Sequence, residues 1–355
     1  MTETSPSILF RVDAHAQMGT GHLMRCLALA EIFEQQGLRC LFACASCPAA
    51  LQLRLQQAGM GFLPLQETED SEALAVLQPQ LLVVDGYHFS SAYRQRLSRL
   101  AERVLVLDDG AASHPDQAQL HASHVLNSSA QARPEDYCQR AAGAELLLGI
   151  EYAPLRQEFL QIERPSQPSQ PVQPNRVLIS FGGSDILNLG LRLSQRLLDC
   201  HPQLCIDLVI GAAASDQQAD KLADDLLARH APRLQLQRNC QQMARLMGQA
   251  ELAISAAGST LLELAYMAVP SIALVVADNQ APALLSPYSQ WFHSLDFRRQ
   301  QDLDRLCQLT LEQLANHASL QQQRQALKQL PVAQKTRQIP CMLGFQNLNQ
   351  EPQTP

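Results

Sequence analysis

A histidine set directly behind a glycine turn is the first chemically informative feature of the chain. Phe10-Arg-Val-Asp13 leads into Met18-Gly-Thr-Gly-His22, and the helix-forming run Leu23-Met-Arg-Cys-Leu-Ala-Leu-Ala-Glu-Ile-Phe33 follows. A strand, a glycine loop and a helix in succession bring free backbone N–H groups and the positive end of a helix onto an anion. The segment lacks the third glycine and downstream acid of a dinucleotide fingerprint, and the Gly-Lys-Ser/Thr of a P-loop. At the helix start the dipole disfavours imidazolium, so His22 is expected to be neutral and able to accept a proton, as a general base must. The competing reading makes His22 a helix cap.

Two further strand-to-helix turns carry the same small-residue chemistry, Ile179-Ser-Phe-Gly-Gly-Ser-Asp185 and Ser255-Ala-Ala-Gly-Ser-Thr-Leu-Leu-Glu263. Small residues let a backbone approach pyrophosphate, and a carboxylate one turn into the helix can bind paired ribose hydroxyls. Asp278-Asn-Gln280 and Asp85-Gly-Tyr-His88 place polar side chains at strand ends, where open α/β sheets bind ligands. Each turn alone reads more readily as a tight connection; their combination in one chain points to a nucleotide. Asp108-Asp109 is another carboxylate pair at a strand end, but no supporting ligand spacing accompanies it, so a metal-free site without cofactor is expected. Cys44-Ala-Ser-Cys47-Pro48 has a redox spacing but lacks the second half of a zinc site, and ordinary partly buried thiols are expected there.

These residues need strands to carry them, and the apolar pattern supplies strands alternating with helices. In the first half, strand-like Ile8–Val12, 39–43, Leu81–Asp85 and 104–108 alternate with helical 23–36, 49–58 and 92–101. In the second half, strands are expected at Arg176–Ser180, Cys205–Ile210, 234–237, 252–255 and 271–276, with a helix at 189–198 and Gln-rich helix over 303–329. Such alternation implies parallel sheets covered on both faces. The proline-rich stretch Arg164-Pro-Ser-Gln-Pro-Ser-Gln-Pro-Val-Gln-Pro174 divides them. The expected organisation is a first domain over 1–162 with the catalytic histidine, a linker over 163–175, a nucleotide-binding domain over 176–343 and a disordered tail over 344–355.

The chain has 355 residues, 27 Lys plus Arg against 34 Asp plus Glu, and a formal net charge of −7 with no basic cluster, which argues against nucleic acid. Glu263 and Pro270 interrupt the longest apolar tract, 252–277, so strand, turn, helix and strand are expected there instead of a membrane span. Met1–Ser7 lacks the basic start and apolar core of a secretory signal, and the ten Cys are dispersed, so a cytoplasmic protein is expected, monomeric or weakly dimeric.

The motifs, in order, resemble those of the UDP-2,4-diacetamido-2,4,6-trideoxy-β-L-altropyranose hydrolases of pseudaminic acid biosynthesis and their spore-coat polysaccharide relatives. The resemblance runs from Ile8 to Gln280 and rests on Phe10-Arg-Val-Asp13, Gly19-Thr-Gly-His22 with the helix behind it, and Asp85-Gly-Tyr-His88. It continues through Leu146-Leu-Leu-Gly149 with Glu151-Tyr-Ala-Pro-Leu-Arg156, Phe181-Gly-Gly-Ser-Asp185 with Asn188, and Asp278-Asn-Gln280. The family is similar in fold to the lipid II N-acetylglucosaminyltransferase. The resemblance therefore implies two Rossmann-like domains facing a cleft, the glycosyltransferase-B fold, and metal-free hydrolysis of a UDP-activated diacetamido-trideoxy sugar with His22 as base. Together, motifs and resemblance nominate Asp13, Gly19, Thr20, Gly21, Arg25, Asp85 and Tyr87 as substrate contacts in the first domain. In the second they nominate Gly182, Gly183, Ser184, Ser259, Thr260 and Glu263 for the nucleotide, with Asn279 and Gln280 near sugar and phosphates. One departure stands out. Where the family carries Asp-Asp-Leu/Tyr-Ala-Asp/Asn-Arg, this chain reads Asp108-Asp-Gly-Ala-Ala-Ser-His114, followed by Leu126-Asn-Ser-Ser129, so a loop shaping the sugar pocket is altered while His22 and the nucleotide-side motifs are intact. A glycosyltransferase of the same fold and a non-catalytic UDP-sugar-binding protein are the alternatives. The former would favour an apolar and basic acceptor patch, and no such cluster is present; the latter has no use for a base.

Overall fold

The structure is a computed structural model that describes residues 8–15, 20–67, 69–110, 119–162, 172–183, 185, 188–211, 217–238, 240–299 and 302–345. The chain forms two compact units. Seven parallel strands form the first sheet: β1 (Ile8–Val12), β2 (Cys40–Cys44), β3 (Gly61–Pro64), β4 (Leu81–Asp85), β5 (Arg103–Leu107), β6 (His124–Asn127) and β7 (Glu145–Leu148). Their order is β3-β2-β1-β4-β5-β6-β7. Every residue of β1 and β4 is buried, as strands covered by helices on both faces must be. Register sets Val12 opposite Asp85, so the chain leaving β1 and the chain leaving β4 emerge side by side.

The second unit contains β8 (Arg176–Ser180), β9 (Cys205–Ile210), β10 (Leu234–Arg238), β11 (Leu252–Ala256), β12 (Ser271–Val275) and β13 (His293–Asp296), in the order β10-β9-β8-β11-β12-β13. All pairs are parallel. Its core runs through Val177, Ile179, Leu193, Leu197, Ile254 and Leu274, packed against Leu306 and Leu314 of the helix Leu303–Ala315. Helix over 303–329 breaks at Asn316, whose side chain accepts a hydrogen bond from Ser319 N at 3.1 Å and so starts a second helix, His317–Lys328. The apolar tract over 252–277 is β11, the helix Thr260–Tyr266 and β12, and among the described residues no helix is long and apolar enough to cross a membrane.

The end of the chain does not follow the expected domain bounds. From Pro331 the described segment packs with the first unit instead of continuing the second. Phe345 meets Phe33 at 5.9 Å between ring centroids, the Arg103 guanidinium lies 5.3 Å from the Phe345 ring, and Thr336 Oγ1 donates to the Ala153 carbonyl at 2.8 Å. A buried phenylalanine is worth about 1.5–3 kcal/mol in water-removal terms, so this return strap is anchored and not incidental. The expected linker over 163–175 falls largely outside the described residues, and the expected tail over 344–355 does so beyond Phe345.

Candidate active site

In both sheets the connectivity reverses beside the first strand of the unit. The first unit reverses between β1 and β4, the second between β8 and β11. Loops diverge on either side of such a reversal and leave a crevice at the strands' carboxyl ends, the usual ligand position in an open α/β sheet.

At the first reversal stands a buried polar cluster. Gly21 opens the helix Gly21–Glu34 behind β1 and His22 follows in its first turn, 6% exposed. Asp85 ends β4 and is fully buried. His22 Nδ1 lies 2.7 Å from Asp85 Oδ1. An ionised carboxylate can only accept, so the Nδ1–H group donates to Asp85, and in the neutral ring Nε2 is then the accepting nitrogen. Arg25, one helical turn beyond His22, donates from Nε to Asp85 Oδ2 at 2.6 Å and from Nη2 to Asp85 Oδ1 at 2.7 Å. Burial alone would raise the Asp85 carboxyl, but the Arg25 charge, His22 and their hydrogen bonds hold it well below the usual carboxylate range. The ring of Tyr87 stands edge-on to His22, with centroids 4.5 Å apart and planes at 82°.

Arg25 also reaches Asp109, donating from Nη1 to Oδ1 at 2.6 Å, and the Tyr87 hydroxyl donates to the other Asp109 oxygen. Burial and the Asp109 carboxylate beside it push the Tyr87 hydroxyl up, which keeps it a donor. Sequence reasoning noticed Asp109 only as half of a carboxylate pair. Its neighbour Asp108 turns the opposite way and accepts from Tyr137 Oη at 2.8 Å and from Arg140 Nη1 and Nη2 at 3.0 and 3.1 Å. Consecutive residues at a strand end face opposite sides, and β5 is the neighbour of β4; that alternation was the available signal. The buried thiol of Cys26, also unassigned, donates to Asp85 Oδ2 at 3.5 Å.

Asp13, nominated as a substrate contact, is engaged elsewhere. It accepts from Arg11 Nη1 and Nη2 at 2.8 and 2.9 Å, from Ala45 N at 2.7 Å and from Ser46 N at 3.2 Å, and His88 Nε2 lies 2.9 Å from its Oδ2. Burial raises its carboxyl, while His88, Arg11 and Ser46 more than offset that and hold it far below the usual range. Asp13 thus staples β1 to the turn after β2. Thr20 is buried before His22, and Gly19 lies outside the described residues. The Cys44–Cys47 pair sits on that same turn as free thiols. Among the described residues no group of three or more His, Cys, Asp or Glu could hold a metal ion.

The second unit brings its nominated loops to three adjacent strand ends, those of β8, β11 and β12. Gly182 takes a left-handed φ of +77°, a turn that favours glycine, and Gly183 follows it. The turn is packed from behind: a Cβ on Gly211 would lie 2.2 Å from the Gly182 carbonyl oxygen and 2.5 Å from Gly183 Cα. Ser184 lies outside the described residues. Ser259 is exposed and makes no capping bond from its side chain, Thr260 opens the helix Thr260–Tyr266, and half-buried Glu263 stands one turn in. Beyond β12, Asn279 is exposed, while Gln280 folds back so that its Oε1 accepts from Val276 N at 3.0 Å. Gln280 therefore shapes the loop.

No protein-family model matches the chain. A UDP-2,4-diacetamido-2,4,6-trideoxy-beta-L-altropyranose hydrolase of Campylobacter jejuni is 26% identical over 279 residues, which cover 77% of this chain and 93% of that protein. An uncharacterized protein of Methanocaldococcus jannaschii is 22% identical over 266 residues, 74% of this chain but only 54% of that protein's length. Among solved structures, Acinetobacter baumannii MurG superposes with a TM-score of 0.63 at 17% identity, covering 94% of this chain and 99% of that one. A Polygonum tinctorium UDP-glucosyltransferase gives 0.61 at 13% identity over 98% and 100%, and Anabaena HepE in complex with UDP-glucose gives 0.56 at 16% over 95% and 99%. These likenesses show the fold. The chain has the two-domain glycosyltransferase-B fold.

Proposed function

We propose that the protein is a UDP-sugar hydrolase acting on a UDP-activated diacetamido-trideoxy sugar, in pseudaminic acid biosynthesis. The observation that carries the reading is the buried His22–Asp85 pair at the strand reversal of the first unit, 2.7 Å apart, which leaves Nε2 to take a proton. A cap needs no carboxylate behind it; a base does. The hydrolase named for the Campylobacter jejuni relative, matched over nearly its whole length, agrees with this chemistry.

In this mechanism the second domain holds UDP through Gly182, Gly183, Ser259, Thr260 and Glu263. Water attacks the anomeric carbon opposite the nucleotide, and its proton passes to His22 Nε2. The bond from the anomeric carbon to the diphosphate oxygen breaks, UDP leaves as the anion, and the sugar emerges with inverted configuration. Arg25 and Asp85 keep the imidazole in one tautomer and orientation throughout.

A glycosyltransferase reading has one observation in its favour: the solved structures named above include transferases. It differs in replacing water by an acceptor hydroxyl. The deciding experiment incubates the purified protein with a panel of UDP-sugars and no acceptor while free UDP is measured. Steady UDP release supports hydrolysis; release only after an acceptor is added overturns it. With solvent ¹⁸O the label is expected in the sugar, and label in UDP would place the attack at phosphorus instead.

A further inference from the structure

We infer that Asp109 supplies the negative charge that stabilises the proton-bearing form of His22, acting through Arg25 and Tyr87 as a positioning residue. Its catalytic meaning rests on the hydrolase reading; the electrostatic arrangement does not.

The charged and titratable groups that touch His22 or its direct partners come from three elements. A fourth, the helix Ser91–Leu97, adds the buried Arg94 guanidinium, which donates to the Gly86 carbonyl at 3.0 Å and acts on Asp85 through its charge. Its own helix contributes Arg25, with Nη2 3.2 Å from His22 Nδ1, and Cys26 on Asp85. The end of β4 and the residues after it contribute Asp85 and Tyr87. The residues after β5 contribute Asp109. Asp85 alone cannot make this site favour a cation, because Arg25 binds both of its oxygens and cancels its charge. A guanidinium so close to the ring opposes a second positive charge there. Asp109 shifts that balance toward negative charge: two carboxylates share the Arg25 guanidinium, so these three side chains in direct contact carry a net negative charge while His22 is neutral.

Proton abstraction then turns a net negative cluster into a neutral one. Without Asp109 the same step would turn a neutral cluster into a positive one at a nearly buried histidine, the costlier change in a medium of low polarity. Asp109 also fixes geometry. One oxygen holds Arg25 against Asp85, and the other takes the Tyr87 hydroxyl, whose ring edge abuts His22. Its side chain is 29% exposed, so solvent screens the effect and reduces it from its buried limit.

The test is the titration of His22 in the full-length protein, followed by its imidazole ¹⁵N and ¹³C resonances and assigned by their loss in His22→Asn. Asp109→Asn keeps the shape and an acceptor for Tyr87 while removing the charge. The titration midpoint is expected to fall by roughly 0.5–1 pH unit, and Asp109→Glu is expected to restore most of it. Asp109→Gln is a second neutral replacement should the asparagine variant fold poorly. Coincident midpoints in the parent and both neutral variants overturn the inference. UDP release measured in parallel separates the two readings: the neutral variants should lose about tenfold in kcat with KM little changed, and the acid-side fall of the rate should move with the midpoint. A midpoint shift in a protein that releases no UDP from any UDP-sugar sustains the charge assignment and removes the hydrolase.

Discussion

His22 and Asp85, 63 positions apart in sequence, meet at 2.7 Å because the helix that follows β1 and the carboxyl end of β4 lie side by side at the place where the sheet reverses its connectivity. The pair joins a helix start to a strand end, so its geometry is held by two rigid elements. That arrangement turns a histidine near glycines into a directed group, and the outcomes below follow from it and from the cores around it.

His22→Asn keeps approximate size and a hydrogen-bonding group opposite Asp85 while removing the basic nitrogen. Turnover is expected to fall ~10²–10⁴-fold with UDP affinity unchanged, measured by steady-state kinetics and calorimetry. A variant that keeps most of its rate but melts lower would make His22 structural, since loss of a helix cap costs only about 1 kcal/mol.

Asp13 should behave as a staple. Asp13→Ala leaves Arg11 fully buried without its carboxylate, and breaking a buried pair on one side costs about 3–5 kcal/mol. Urea unfolding followed by far-UV circular dichroism should show a large drop in stability. A stable Asp13→Ala protein with a raised KM would return Asp13 to the substrate site.

Acid should weaken the first unit before the second. The Asp13 and Asp85 carboxyls sit below their ordinary range in the folded chain, so between folded and unfolded values the unfolded chain binds more protons and stability rises with pH. Their contribution is fully present above the unfolded carboxylate value of about 4 and is lost as pH falls below it toward the folded values. Amide exchange of peptides spanning β1 and β4, compared at pH 5 and pH 3, reads this directly. Fluorescence of Trp291, the one tryptophan of the chain and part of the second unit, serves as the internal control. Equal acid sensitivity in both units would count against the assignment.

Gly211→Ala should damage UDP binding from behind the site. The new methyl meets the Gly182 carbonyl at 2.2 Å, a backbone atom that yields only if the turn moves. UDP affinity is expected to fall at least tenfold while His22 titrates as in the parent. Unchanged affinity would remove the Gly182–Gly183 turn from the nucleotide site.

Turnover should survive EDTA, because backbone amides at strand-to-helix turns can neutralise diphosphate without a metal ion. Loss of activity on chelation, restored by Mg²⁺, would contradict this.

Much of this molecule is local, and the local part was legible. Ile8–Val12, Leu81–Asp85, Arg176–Ser180 and Cys205–Ile210 are strands over the very residues that their apolar runs predicted, because strands buried on both faces read as near-continuous apolar runs. Gly21 and His22 at a helix start follow from the same local chemistry. The strands β3, β6, β7 and β13 escaped notice: each is four residues long and lies at or towards the outer side of its sheet, where burial imposes less of a pattern. What no local pattern contains is pairing. That Asp85 backs His22, that Asp13 serves Arg11 and the turn after β2, that Asp109 and Asp108 part company, and that the chain beyond Pro331 returns to the first unit all depend on which strands lie side by side. Side-chain charges act over a few ångströms of space whatever their separation along the chain, so composition named the reactive groups and only the tertiary fold decided which of them face one another.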